Sequence, residues 1–185
     1  MIYLYTDGSC LNNQDRINTG GYAAILKYKN YIKCINGFEE NTTNNRMELM
    51  AVIVGLRLVK NFDMPIFIFS DSAYIINCFE KKWYISWKEK NYLSSSNSKI
   101  KNVDLWKELL FLVERHKEIK FIKVKAHVKN ESEIKKYYEK LVLDYGKCIT
   151  FGEYKKAIEY NNLVDLLANG SISKNEIKTD DILII

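Results

Sequence analysis

Ile66-Phe67-Ile68-Phe69 narrows the possible folds of this chain most, because four successive large apolar residues leave neither face of a strand for water. Set between Asp63-Met64-Pro65 and Ser70-Asp71-Ser72, such a run belongs in the middle of a sheet. The segments before it are also β-rich. Ile2 to Thr6 is a short strand that meets a turn pair at Asp7-Gly8, and Gly21 to Tyr28 and Tyr31 to Phe38 read as two more strands joined by Lys29-Asn30. Thr42-Thr43-Asn44-Asn45 then supplies capping residues for a helix in which Met47, Met50, Ala51, Val54 and Leu58 recur at helical spacing through to Lys60. Ser70-Asp71-Ser72 opens another helix. Asp104 to Lys117 sets Leu105, Leu109, Leu112 and Val113 on one helical face, and Phe121 to Val124 is a last strand. The order βββαβα(α)βα predicts an α/β domain, one mixed sheet with helices packed on its faces.

At 185 residues and 47% hydrophobic content the chain suits a single domain, 1–185, with one core. Met1 leads straight into Ile2-Tyr3-Leu4-Tyr5 rather than into a signal pattern, and no apolar run approaches the ~18 residues of a membrane span, so a cytoplasmic protein without membrane attachment is expected. Cys10, Cys34, Cys78 and Cys148 are scattered without a C-x-x-C pair and read as reduced thiols. The net charge is only +5, but the window Lys81 to Lys101 carries six lysines (81, 82, 88, 90, 99, 101) against Glu89 alone, so one patch holds the whole excess. A concentrated basic patch is the footprint of a protein that neutralises phosphates.

Four carboxylates are placed to meet. Asp7 ends the first strand and Asp71 follows the buried fourth one, so if those strands are parallel neighbours about 4.8 Å apart the two acids emerge together. Glu48, in the first turn of its helix and next to the core-facing Met47, can point along the sheet toward the same place. Asp165 interrupts the apolar helix Asn161-Asn162-Leu163-Val164-Asp165-Leu166-Leu167-Ala168. Taken singly, each has a plainer explanation: a turn for Asp7-Gly8, an acid facing the helix dipole for Glu48, a cap for Asp71, a solvated helix acid for Asp165.

Their joint setting is more specific. Thr6-Asp7-Gly8-Ser9-Cys10-Leu11, Gly20-Gly21-Tyr22-Ala23-Ala24-Ile25-Leu26, Thr42-Thr43-Asn44-Asn45-Arg46-Met47-Glu48-Leu49-Met50-Ala51, Ser70-Asp71-Ser72-Ala73-Tyr74, Lys101-Asn102-Val103-Asp104-Leu105-Trp106 and Val124-Lys125-Ala126-His127 together resemble the type 1 ribonuclease H family, from residue 2 to about 128 and again from about 161. The resemblance implies a ribonuclease H-like fold with a five-stranded mixed sheet and helices on both faces. It implies an endonuclease, monomeric by expectation, that cuts the RNA strand of RNA-DNA hybrids and leaves 5′-phosphate and 3′-hydroxyl ends. Asp7, Glu48, Asp71 and Asp165 would hold two Mg2+ ions, with Mn2+ as a possible substitute, one ion activating water and the other stabilising the leaving 3′-oxygen. Crowding these acids without metal should raise some of their pKa values. His127 matches a loop histidine that assists proton transfer or product release, whereas His116, in Arg115-His116-Lys117, reads as an ordinary cation at a helix C-terminus.

Telling RNA from DNA takes contacts to 2′-hydroxyls, for which Cys10, Asn13, Asn44 and Asn45 are the candidates, although one of the two latter asparagines should cap the helix. Ala73 stands where the family often has glutamine. Thr43, Asn102 and Trp106 match contacts to the DNA strand, with Asn41 in place of a common basic residue. Lys88 and Lys90 belong to a stretch, interleaved with Trp83, Trp87 and Tyr92, that resembles the family's basic protrusion, and the two tryptophans share a helical face that suits core packing as well as substrate.

The main departure is the 37 residues between His127 and Asp165, where compact relatives have a short loop. Ile134, Tyr137, Tyr138, Leu141, Val142 and Tyr145 predict an amphipathic helix ending at Gly146, and Thr150-x-x-Glu153 predicts a capping box starting another that runs on through Asp165. A helical hairpin inserted over about 129–160, near the active site, is expected. Seven lysines against six acids there argue for packing on the domain or a partner rather than for a nucleic-acid arm, and a lid is the other reading. Asp181-Ile182-Leu183-Ile184-Ile185 can dock as a strand or bind a partner. Two other functions share these features: a module that binds hybrids without cutting them, and a DNA-directed nuclease of the same fold.

Overall fold

A computed structural model describes residues 1–11, 18–94, 96–128 and 130–177. Five strands, β1 (Ile2–Leu11), β2 (Thr19–Tyr28), β3 (Tyr31–Glu40), β4 (Ile66–Ser70) and β5 (Ile119–Lys123), form one sheet in the order β3-β2-β1-β4-β5. The first three make an antiparallel meander, and β4 and β5 join it in parallel, each after a helical crossover. The apolar run Ile66–Phe69 is buried throughout and lies between β1 and β5, as its composition requires.

Alternation along the strands divides the core in two. Ile2, Leu4, Ile66 and Ile68 face one side and pack under α1 (Asn44–Leu58), α2 (Ala73–Glu80) and α4 (Val103–Arg115). Tyr5, Phe67, Phe69 and Ile122 face the other, against α6 (Phe151–Ala168) and Leu141 of α5 (Glu131–Tyr145). Between α2 and α4 lies the short α3 (Trp83–Glu89), which has no buried residue. Helices thus cover both faces.

The inserted hairpin forms as its local signals require. Asn130 caps α5, which stops at Gly146, whose φ of 72° suits a residue without Cβ. Thr150 and Glu153 form a reciprocal capping box at the start of α6. The two helices differ in role. α6 buries Tyr154, Ala157, Ile158 and Asn161 before it reaches Asp165, whereas Leu141 is the only residue of α5 that is buried. Glu153 also accepts a hydrogen bond from the Tyr3 hydroxyl at 2.5 Å, tying the start of α6 to the first strand. The first half of the insertion-derived helix is therefore a buttress that sets where Asp165 stands.

Candidate metal and nucleic-acid site

β1 and β4 run in parallel with Tyr5 opposite Phe69, and Asp7 and Asp71 lie two residues beyond that pair on their own segments. β1 does not end there. The Asp7-Gly8 turn expected from the sequence is absent because β2 keeps pairing with β1 through Asp7↔Ala23 and Gly8↔Tyr22 up to Leu11↔Thr19. Gly8 serves a different need: a Cβ at this position would overlap the backbone of Met47 and Glu48, so the glycine lets α1 press against β1. That contact delivers Glu48. Since α1 starts at Asn44, Glu48 lies past the first turn and is buried, which removes the dipole explanation for it.

The carboxylates of Asp7, Glu48 and Asp71 offer oxygens that all lie within 4.8 Å of one another. Burial pushes Asp7 up to about 8, with the charges of Asp71 and then Asp165 adding to the effect and the Gly8 N–H, 2.8 Å from Oδ1, opposing it. Glu48 is raised well above the carboxylate range by burial, then by Asp7 and Asp71. Burial raises Asp71 as well, and a hydrogen bond from the Asn161 side chain holds its charged form back from a larger shift. Asp165, from α6, is not among the three acids within 4.8 Å, but its charge acts on Asp7 and Asp71, and its Oδ2 lies 4.0 Å from Nε2 of His127, a residue in the left-handed region whose side chain is 72% exposed.

Glu48 Oε2 is buried with no hydrogen-bond partner among the described residues, a costly state for a carboxylate unless a cation completes it. Clustered hard oxygen donors with an unsatisfied member fit a divalent ion of the magnesium type. Asn161, which is not an acid, also reaches the site, through its hydrogen bond to Asp71. It is 1% exposed and lies one helical turn before Asp165, so the i, i+4 spacing that puts both on one face of α6 was the available signal.

The expected substrate residues divide. Cys10 is half-buried beside the Thr42 carbonyl (3.7 Å), Asn44 is half-buried and Asn45 exposed. Neither asparagine caps α1. Thr43 does, its hydroxyl accepting from the Arg46 N–H, because the helix begins one residue earlier than a capping asparagine would allow. Arg46 grips Asp104 through Nη1 and Nη2 (3.1 and 3.0 Å), locking the start of α1 to the start of α4 and so Asn44 and Asn45 to the neighbourhood of Asn102. Asn102 takes a left-handed conformation ahead of α4, with Nδ2 3.5 Å from the Tyr74 hydroxyl.

Trp106 offers no surface. It is fully buried, its Nε1 donating to the Tyr74 hydroxyl at 2.8 Å, so its part is to position Tyr74 rather than to face a sugar. His116 also departs from expectation: it is buried against Phe62, and burial lowers its pKa, so it is a neutral core residue rather than a cation. The lysines at 81, 82, 88, 90, 99 and 101 are all exposed, with Lys88 paired to Glu114. Trp87 packs edge-on to the buried Trp106, while Trp83 stays exposed beside Lys81. Asn13 and the segment 181–185 lie outside the described residues.

Clustered carboxylates on a mixed sheet, in a chain that also carries a run of exposed lysines, fit a metal-assisted phosphodiesterase class of site. The RNase H family model matches residues 1–136, and the chain belongs to that family. The Ribonuclease H of Thermoanaerobacter sp. (strain X514) is 41% identical over 175 residues, 95% of this chain and 92% of that protein. An alignment of that extent runs through the inserted helices. Among solved structures, LC9-RNase H1, a type 1 RNase H with the type 2 active-site motif, superposes with a TM-score of 0.63 at 23% identity, covering 97% of this chain and 77% of that one. LC11-RNase H1, solved in complex with RNA/DNA hybrid, gives 0.50 at 18% identity over 67% of this chain and 85% of that one. No helix among the described residues is long and apolar enough to cross a membrane.

Proposed function

We propose that this chain is a ribonuclease H that hydrolyses the RNA strand of RNA-DNA hybrids internally, with two Mg2+ ions held by Asp7, Glu48, Asp71 and Asp165. The observation that carries the reading is the trio of carboxylates within 4.8 Å, one oxygen of it unpartnered, in a chain of the RNase H family. Bound there, the ions would supply activation of water and charge stabilisation at the leaving oxygen, giving 5′-phosphate and 3′-hydroxyl ends.

The protein's own groups do the rest. Asn161 orients the Asp71 carboxylate and favours its charged form. His127, exposed and close to Asp165, takes or gives a proton at the substrate, a task suited to an imidazole. Cys10, Asn13, Asn44 and Asn45 read 2′-hydroxyls, Thr43 and Asn102 meet the DNA strand with Trp106 acting from beneath through Tyr74, and Lys88 and Lys90 neutralise phosphates. All four acids come from one chain, so a monomer suffices, and we place its work in the cytoplasm, where thiols such as the buried Cys78 stay reduced.

Cleavage of RNA-DNA hybrid, double-stranded RNA and double-stranded DNA compared in Mg2+ tests this directly. Cutting confined to the RNA of the hybrid is expected. Binding of hybrid without cleavage, or cutting of duplex DNA, would replace the proposal with one of the two other readings.

A further inference from the structure

A cleft of about 400 Å³ opens between α2, the end of β5 and the inserted α5, apart from the carboxylates. Lys123, Lys125 and Lys140 line it, as do Tyr137 and Tyr145 and the acids Glu80 and Asp144. Among the described residues none of these five charges forms an ion pair, and neither tyrosine ring packs on another aromatic. Charges of both signs left unpaired in a cleft beside aromatic faces call for a ligand of mixed character.

We propose that this cleft binds one unpaired nucleotide of the RNA strand where that strand runs on beyond the hybrid. The lysines match a phosphate, the tyrosine faces a base, and the carboxylates accept from a base's exocyclic amino group. A bare phosphate would leave Glu80 and Asp144 repelling it, and an apolar ligand would leave all five charges unmatched. The volume suits a single nucleotide, and single-stranded RNA is recognised by splaying bases onto such aromatic platforms.

Position supports the assignment. Lys123 stands opposite Ser70 in the β4–β5 ladder, and the Val124 N–H donates to the Ser70 carbonyl at 3.1 Å, so the cleft begins one strand spacing from the segment that carries Asp71. Lys125 precedes His127 by two residues. A strand that left the carboxylates on the β5 side would meet this cleft. The inference rests on the hybrid-nuclease reading and adds to it a role for α5, which buries too little to be a support helix.

The test compares a blunt hybrid with hybrids whose RNA carries a short unpaired tail at the 5′ or the 3′ end, using the full chain and its Lys140→Gln/Tyr145→Ala variant. Both substituted side chains are exposed, and an unchanged Tm checks the fold. The wild type should bind one of the tailed hybrids about tenfold more tightly than the blunt one, the size expected for one stacked base. The variant should lose that difference while cutting the blunt hybrid as before. Equal treatment of tailed and blunt hybrids by the wild type, or a tail preference that survives in the variant, or equal weakening on all substrates, would overturn the inference while leaving the nuclease reading intact. Failure of the wild type to cut even the blunt hybrid would remove that reading, and this one with it.

Discussion

Asp7 and Asp71 stand in register, each two residues past the Tyr5 and Phe69 pair that closes the parallel ladder between β1 and β4. Because side chains alternate along a strand, Asp7 shares the face of Tyr5, the one covered by α6, while Gly8, the next residue, faces α1. The site is therefore a consequence of sheet register plus one close helix approach. Replacing Asp71 or Asp7 by Asn keeps the shape and removes the charge. Hybrid cleavage should fall by more than the ~10- to 100-fold typical of losing a group that merely supports a metal ligand, with the circular dichroism spectrum unchanged.

Metal-free stability should depend on pH through these acids. Asp7 is held up at about 8, and Glu48 and Asp71 are also raised, so the native state keeps protons that the unfolded chain has already released. Stability contributed in this way is complete below the unfolded carboxylate values near ~4 and is lost as pH rises toward 8. In chelator, Tm should fall between pH 5 and pH 8, Asp7→Asn should flatten that slope, and Mg2+ at pH 8 should restore Tm by binding the native state. A Tm that rises over this range in chelator would mean that the acids are not crowded.

Asn161→Ala should lower cleavage by ~10- to 100-fold through loss of the hydrogen bond to Asp71, and raise the Mg2+ concentration needed for half-maximal rate. A variant with lower Tm but an unaltered Mg2+ requirement would make Asn161 a packing residue only.

Lys90 is exposed and makes no ion pair among the described residues, whereas Lys88 is engaged with Glu114. Lys90→Gln should weaken hybrid binding and reduce the slope of log Kd against log salt by about 1. Measured by fluorescence anisotropy, an unchanged slope would place the hybrid elsewhere.

Much of this architecture was legible because its signals are local. Ile66–Phe69 announced a central strand, Thr150 and Glu153 a helix start, and Gly146 a helix end, since caps and apolar runs act within a few residues. The misread features depend on partners distant in the chain. Asp7-Gly8 carries a strong turn signal that pairing with β2 overrides, and the need for glycine comes from α1, some forty positions away. The burial of Trp106 and His116 likewise follows from what packs over them, Tyr74 and Phe62, and neither contact can be read from neighbouring residues. For the candidate site, the acids were visible through their surroundings, but the support given by Asn161 required α6 to be seen lying across the sheet.

The central claim is that side chains from β1, α1 and the segment after β4 make one cation site. Anomalous diffraction from crystals soaked in Mn2+ tests it most directly. The account predicts a peak among the carboxylates of Asp7, Glu48 and Asp71. Density for the ion only at other positions, or none there at saturating Mn2+, would contradict it.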